Sequence, residues 1–182
     1  MMIKNVMKPE YRSIIFAVGL ALILFLIKQL TIPTTVIQYN SMEPSLAEGE
    51  RVLINKVVYG LHEPERGDVI IFNPTFSSNE PFIKRIIGLP GETIDIKAGI
   101  VYIHTQENTL KLTEPYIIEP PNYTLDSFQI PEGEYFVLGD NRNNSHDSHS
   151  GWTVSRDDII AKAWLRIWPL DKIGVIENPL AR

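Results

Sequence analysis

The chain of 182 residues is long enough for one domain of ordinary size, or for one domain with a small inserted lobe. Its 44% hydrophobic and 21% charged residues are typical of a globular protein, and the absence of cysteine excludes a disulfide framework and a cysteine nucleophile. The net charge of −5 combines a basic head, with four basic side chains against one acidic over residues 1–32, and an acidic body. An acidic body argues against nucleic-acid binding, which uses a basic face on the folded domain.

The first predicted element is an apolar segment over residues 13–32, whose uninterrupted part is Ile14–Ile27. Its length suits a membrane span of about 20 residues, provided that the ammonium group of Lys28 reaches toward the interface. A cleaved secretory signal is the alternative, but no Ala-x-Ala site follows the apolar run. The sequence therefore favours a single uncleaved transmembrane anchor.

The charges before this segment predict its orientation. Lys4, Lys8 and Arg12 precede the apolar run, and the positive-inside rule places such a basic flank in the cytoplasm. We therefore expect a single-pass protein of the plasma membrane, with residues 1–12 cytoplasmic, residues 33–182 outside, and the lipid bilayer as a partner.

After Pro33 the pattern changes to short β-rich runs between Gly, Pro and Asn turns, which predicts a mainly β, antiparallel domain over residues 33–182. The predicted strands are Arg51–Lys56, Asp68–Phe72, Ile83–Gly88, Thr93–Ile96, Ile100–Ile103, Tyr135–Gly139 and Ala161–Trp168. The segment from about residue 104 to 131 has few periodic apolar positions, which predicts a small inserted lobe. Residues 154–160 fit one short helical turn capped by Ser155.

Ser41, in the run Ser41-Met42-Glu43-Pro44, lies just beyond the predicted span. Two interpretations fit it, a nucleophile held at the bilayer surface or a loop serine that caps a short turn. A serine hydroxyl is a poor nucleophile until a base removes its proton. The candidate bases are Lys84, His62, His104, His146 and His149.

Lys84 stands in the apolar strand Phe82–Gly88. Burial there lowers the pKa of a lysine from its usual value of about 10.4, and only the neutral amine can act as a base. Strand alternation puts Arg85 on the opposite face, as a solvated or ion-paired residue. The alternative for Lys84 is an edge-strand lysine that discourages aggregation.

The loop over residues 139–148 is rich in polar groups. Its candidate side chains, together with the nearby histidine, are Asp140, His146, Asp147 and His149. They fit a structural turn, a Ser-His-Asp site for Ser41, or a loop that supports Lys84. They are also metal-ligand types, but no established ligand spacing is matched, so no metal site is predicted.

Serine, strand lysine and polar loop, in that order behind one apolar run, resemble bacterial type I signal peptidases, and Gram-positive members in particular. The resemblance implies a mainly antiparallel β catalytic domain with a smaller inserted β lobe, behind a single anchor. It also implies a membrane-anchored serine endopeptidase that removes signal peptides from exported preproteins without a cofactor. Preproteins and the Sec translocation machinery are the implied partners.

Matched by motif, the resemblance implies that Ser41 is the nucleophile and Lys84 the general base. It implies that Ser145 hydrogen-bonds the lysine and that Asp147 holds the loop in place. The substrate would bind as an extended strand beside both catalytic segments. The apolar positions implied for substrate binding are Ile37, Met42, Phe82 and Ile83.

Two positions depart from the family pattern. Tyr39 stands where the family has a small residue that helps to stabilise the oxyanion. Either its hydroxyl takes over that role, or its ring turns away and leaves the Ser41 N–H as the main donor. His149 replaces the arginine expected after Asp147, which makes that ion pair pH-dependent.

Two other functions remain open from the sequence. The departures at Tyr39 and His149 fit a catalytically impaired paralogue that holds exported peptides without cutting them. A LexA-like self-cleaving protease uses a related Ser/Lys dyad, but such proteins usually carry a DNA-binding head where this chain has an apolar run.

Overall fold

The computed structural model describes residues 9–29, 33–75 and 80–180. The chain divides into two compact units, Met1–Ile32 and Pro33–Arg182. The first unit contains helix α1, Pro9–Gln29, which begins with a proline, a residue well suited to the first turn of a helix.

Most of the described side chains of α1 are exposed, including Ile14 and Phe16. Within the described ranges, no helix combines the length and hydropathy that a membrane-crossing segment needs. Residues 1–8 and 30–32, on which part of the predicted anchor and its cytoplasmic flank falls, lie outside the described residues.

The described part of the second unit forms twelve strands. In chain order they are β1 (Thr34–Val36), β2 (Arg51–Asn55), β3 (Val69–Phe72), β4 (Phe82–Gly88), β5 (Thr93–Lys97), β6 (Ile100–His104), β7 (Thr109–Lys111), β8 (Leu125–Gln129), β9 (Glu134–Leu138), β10 (Val154–Ser155), β11 (Ile159–Trp168) and β12 (Gly174–Val175). Eight of them form one sheet in the order β1-β2-β11-β3-β4-β9-β10, with β12 added beside β11. The other four form a smaller sheet in the order β7-β6-β5-β8, and the pairing is antiparallel throughout.

Strand alternation divides the buried side chains among three hydrophobic clusters. Ile86 and Ile87 are neighbours in β4, yet they enter different clusters because successive side chains point to opposite faces. The Ile87 cluster joins the smaller sheet to β9, through residues such as Ile94 and Phe136. This packing fixes the smaller sheet against the end of β4 that follows Lys84.

The mainly β, antiparallel class is confirmed, and each of the seven predicted strands is present to within about two residues at either end. The predicted turn is confirmed as a 3-10 helix, Arg156–Asp158, in which the Ser155 hydroxyl accepts from the Asp157 N–H. The sequence missed β1, β7, β8, β10 and β12 because these strands are two to five residues long and carry few buried side chains. The smaller sheet begins at Thr93, earlier than the lobe boundary predicted near residue 104, because β5 and β6 belong to it.

The C-terminal segment after β12 packs onto the turn that precedes β3. Asn178 Nδ2 donates to the Arg66 carbonyl at 3.0 Å and to Asp68 Oδ1 at 3.1 Å. Gly67, between these two partners, has a φ of +89°, and a Cβ added there would overlap Asn178 Oδ1. The turn therefore needs glycine for its backbone conformation and for the close approach of the tail.

We predict that Gly67→Ala lowers the free energy of unfolding more than Gly49→Ala does. Gly49 is the matched control, since its φ is +82° but no atom lies within 4 Å of an added Cβ. The control isolates the cost of the left-handed backbone, about 1–2 kcal/mol, and Gly67→Ala adds an overlap costing about 1–3 kcal/mol. Urea unfolding followed by tryptophan fluorescence measures both, and equal losses would contradict the tight packing of the tail.

Candidate active site

Ser41 and Lys84 are brought into direct contact by the fold. Ser41 lies in a 3-10 helix, Asn40–Met42, between β1 and β2, whereas Lys84 is the third residue of β4. Lys84 Nζ donates a hydrogen bond to Ser41 Oγ at 2.7 Å. A neutral amine at this distance is able to accept the proton of a serine hydroxyl.

Lys84 is deeply buried, with 5% of its surface exposed. Burial lowers the pKa of its ammonium group from an ordinary value of 10.5 to about 8, and the charges of Asp147 and Asp140 oppose part of that decrease. The ring of Phe82 lies beside the amine, with its centroid 5.4 Å from Nζ. The surroundings thus favour the neutral form of Lys84 far more than water does.

Arg85, the neighbour of Lys84 on the opposite face of β4, is an ion-paired and buried residue. Its guanidinium donates to both carboxylate oxygens of Asp140, at 2.9 and 2.7 Å. Further bonds from Arg85 reach the Gly67 and Glu177 carbonyls. Of the two alternatives that the sequence left open for Arg85, the ion-paired residue is therefore correct and the solvated one is wrong. Asp140 forms its ion pair with this arginine and not with a histidine.

The loop after β9 is joined to the segment that carries Ser41. The Asn141 N–H donates to the Ser41 carbonyl at 3.0 Å, and Asn141 Nδ2 donates to the Asn40 carbonyl at 3.2 Å. A Cβ added at Gly139 would overlap the Ser41 carbonyl and the Ser145 hydroxyl. A glycine at position 139 therefore lets the loop lie directly against the backbone of Ser41.

Asp147 organises the loop from within. Its carboxylate is fully buried and accepts from the Gly139 N–H at 2.8 Å through Oδ2. Through Oδ1 it accepts from Nδ1 of His149 at 2.7 Å. This hydrogen bond raises the pKa of His149 above its ordinary value of 6.5, so the pH-dependent pair anticipated from the sequence is present.

Ser145 does not make the hydrogen bond that the resemblance implied. Its hydroxyl is buried against Gly139 and has no hydrogen-bond partner among the described residues. Lys84 Nζ bonds to Ser41 instead. The supporting role of Ser145 stays a prediction.

The histidines considered as bases for Ser41 lie in different surroundings. His146 packs its ring against Phe82 and Trp152, and His104 bonds to Asp95 in the smaller sheet. His62 is exposed. The Ser41 hydroxyl accepts a hydrogen bond from Lys84, which favours the lysine over a histidine as its base. No group of metal-ligand side chains occurs within the described ranges either.

Tyr39 is 63% exposed, and its hydroxyl donates to Glu80 Oε2 at 3.1 Å. The hydroxyl is therefore engaged by Glu80 in this structure. This contact favours the second of the two alternatives considered from the sequence, in which the Ser41 N–H is the main oxyanion donor.

The four apolar positions predicted to bind substrate differ in accessibility. Ile37 and Met42 are 2% and 0% exposed and belong to a core cluster with Val52. Phe82 and Ile83 are half-buried. The latter two therefore offer accessible apolar surface next to Lys84, whereas Ile37 and Met42 support the site from within the core.

Sequence reasoning gave no role to the residues that tie the smaller lobe to the loop. Arg142 is buried, donates to the Gly139 carbonyl at 3.1 Å and forms an ion pair with Glu114. Tyr123 stacks on His149 with ring centroids 4.2 Å apart. Arg142 was visible within the loop motif, but Glu114 and Tyr123 gave no signal because they reach the loop only through the tertiary fold.

Comparisons with known proteins identify the family of the chain. The profile of the family described as signal peptidase, peptidase S26, matches residues 10–168. A probable signal peptidase I-2 of Synechocystis sp. is 38% identical over 180 residues, covering 96% of this chain and 78% of the relative. Signal peptidase I of Leptolyngbya laminosa is 41% identical over 170 residues, covering 89% of this chain and 82% of the relative. Signal peptidase IB of Staphylococcus aureus is 32% identical over 192 residues, covering 95% of this chain and 97% of the relative.

The matched region spans nearly all of the helix, strands β1 to β11 and the Ser41–Lys84 contact, so the class is that of the signal peptidases. The chain belongs to the signal peptidase S26 family. The resemblance drawn from the three sequence motifs is confirmed, and the family match favours a signal peptidase over a LexA-like self-cleaving protease.

We predict that Tyr39→Phe leaves kcat within about twofold of wild type, because the hydroxyl bonds to Glu80 and not to the reacting atoms. Tyr39→Ser should raise kcat by adding a second oxyanion donor. The matched control is Glu80→Gln, which alters the other end of the same contact. Steady-state cleavage of a signal-peptide substrate measures all three, and a loss of roughly tenfold to a thousandfold in Tyr39→Phe would show instead that the hydroxyl serves the oxyanion.

Proposed function

We propose that this chain removes N-terminal signal peptides from exported preproteins as a serine endopeptidase with Ser41 as nucleophile and Lys84 as general base. Membership of the signal peptidase family supports the reaction. The observation that supports the residue roles is the 2.7 Å hydrogen bond between Lys84 Nζ and Ser41 Oγ in a buried setting. The same contact argues against a paralogue that only binds peptides, since its catalytic pair is already assembled.

The proposed reaction uses one proton carrier throughout. Neutral Lys84 accepts the Ser41 hydroxyl proton while Oγ attacks the scissile carbonyl carbon. The ammonium group then gives that proton to the departing amine, which leaves an ester between Ser41 and the signal peptide. Lys84 next takes a proton from water as the hydroxide oxygen attacks the ester, and returns it to Ser41 Oγ. Lys84 and Ser41 thus return to their starting protonation states, and no step requires a cofactor.

The lowered pKa of Lys84 makes this role feasible near neutral pH. With a pKa of about 8, roughly one lysine in ten is neutral at pH 7, whereas an ordinary lysine would be neutral less than once in a thousand. We assign the oxyanion to the Ser41 N–H. Tyr39 supplies no second donor in its observed conformation, because its hydroxyl bonds to Glu80.

An extended peptide fits the sheet edges beside the pair. The first edge is β1, at one end of the eight-stranded sheet. The second is the start of β4: among the described strands, Ile83 and Lys84 pair with β3 alone, because the pairing of β4 with β9 begins at Arg85. A peptide added as a strand at these edges would bring its scissile bond to Ser41. The half-buried side chains of Phe82 and Ile83 would line the adjoining pocket.

Supporting roles follow from the contacts of the loop. Asp147 is proposed to hold Gly139, and through the loop the Ser41 backbone, in place. Ser145 is proposed to bond to the amine only after a change of rotamer, since its hydroxyl now lies against Gly139.

The proposed location is the plasma membrane, with residues 13–32 as a single anchor and residues 33–182 outside the cytoplasm. The apolar run and its basic flank support this proposal. The lipid bilayer and the Sec translocation machinery are the partners proposed on the same basis.

We predict that Ser41→Ala reduces cleavage to background and that Lys84→Ala lowers kcat by about 10²–10⁴, the range for losing a general base. Lys97→Ala is the matched control, because that lysine lies on β5 of the smaller sheet. Circular dichroism checks that each variant keeps its β structure. Near-wild-type cleavage by Lys84→Ala, together with a loss in His146→Ala, would replace the dyad with a histidine mechanism.

We predict that a reporter fused after residue 182 is active only outside the cytoplasm. The basic flank stays inside, so a single span carries the rest of the chain across. Protease added to intact spheroplasts should digest the β domain, and lysed spheroplasts give the control for complete digestion. Protection of the domain in intact spheroplasts would contradict the orientation.

A further inference from the structure

His149 is held between a buried carboxylate and an aromatic ring. Its Nδ1 bonds to Asp147 at 2.7 Å, and its ring stacks on Tyr123 with an interplanar angle of 22°. Tyr123 lies in the connection between β7 and β8, within the smaller lobe. An imidazolium is stabilised by both neighbours, by ion pairing on one side and by a cation–π contact on the other.

The carboxylate of Asp147 also faces the active site. It is fully buried, and its negative charge is one of two that favour the protonated form of Lys84. A positive charge on His149 offsets that field, whereas a neutral His149 leaves it unopposed. The protonation state of His149 therefore affects the protonation of Lys84 through the charge of Asp147, and this effect needs no contact between the two basic groups.

Among the described residues, Asp147 on its own loop and the Tyr123 ring of the smaller lobe contact the His149 ring, and Asp147 is the charge that acts on it. Beyond Tyr123, Arg142 and Glu114 neutralise each other in an ion pair. Asp147 is thus the dominant electrostatic partner of His149.

We propose that His149 is a positioning residue whose imidazolium fixes Asp147 on Gly139 and, by offsetting the Asp147 charge, sets the pH range in which Lys84 acts as a base. The inference rests on the general-base role proposed for Lys84. As pH rises and His149 loses its proton, the unopposed carboxylate favours the ammonium form of Lys84, so the gain in activity with pH becomes more gradual.

The test measures how kcat/KM depends on pH for two variants of the full chain in detergent, His149→Arg and His149→Gln. Both side chains can donate to Asp147, but only His149→Arg keeps a permanent positive charge. The acid limb is the part of the profile in which kcat/KM rises with pH. Its apparent pKa should be lower in His149→Arg than in His149→Gln by about half to one pKa unit, so His149→Arg should be roughly three- to tenfold faster at low pH. Wild type should coincide with the arginine variant in acid and approach the glutamine variant as pH rises.

His104→Gln is the matched control, since His104 also pairs with an aspartate, Asp95, but in the smaller sheet. It should leave the acid limb unchanged. His149→Lys provides a second cationic variant if arginine prevents folding. If the cationic and neutral variants at position 149 share one acid limb, the proposal for His149 is overturned and the dyad is unaffected. Full activity of Lys84→Ala would overturn the dyad itself.

Discussion

The burial of Lys84 against a serine hydroxyl is the constraint on which the rest of the site depends. A buried ammonium next to a carboxylate keeps its proton, whereas one that contacts only a hydroxyl and apolar groups loses it readily. Two carboxylates nevertheless lie close enough to act on Lys84, and each is paired with another basic side chain. The pairs are Asp140 with Arg85 and Asp147 with His149.

The fold keeps Ser41 and Lys84 in register. β4 is fixed by β3 along its first half and by β9 from Arg85 onward, while the loop after β9 returns to bond the Ser41 carbonyl. The smaller lobe contributes Glu114 and Tyr123, which hold this loop from its outer side. A lobe that carries neither Ser41 nor Lys84 therefore still holds the loop that contacts the Ser41 backbone.

The sequence could predict what local patterns encode. Short β-rich runs between Gly, Pro and Asn turns predicted the central strands, and three motifs in order identified Ser41 and Lys84 as a pair to be brought together. Short, exposed strands such as β7 carry too little hydrophobic pattern to be found. Glu114 and Tyr123 were missed because their contacts exist only after the lobe folds back, and the burial of Met42 depends on core packing that no short motif specifies.

The most direct test of the account is the titration of Lys84 in the folded protein. The chain is labelled with ¹³C at the lysine ε position, and the resonance that disappears in Lys84→Arg identifies Lys84. The account predicts a midpoint near pH 8, because burial lowers the pKa of this amine to about 8. A midpoint at the ordinary lysine value of 10.5 would contradict it, since Lys84 would then be protonated at every pH at which the enzyme is expected to work.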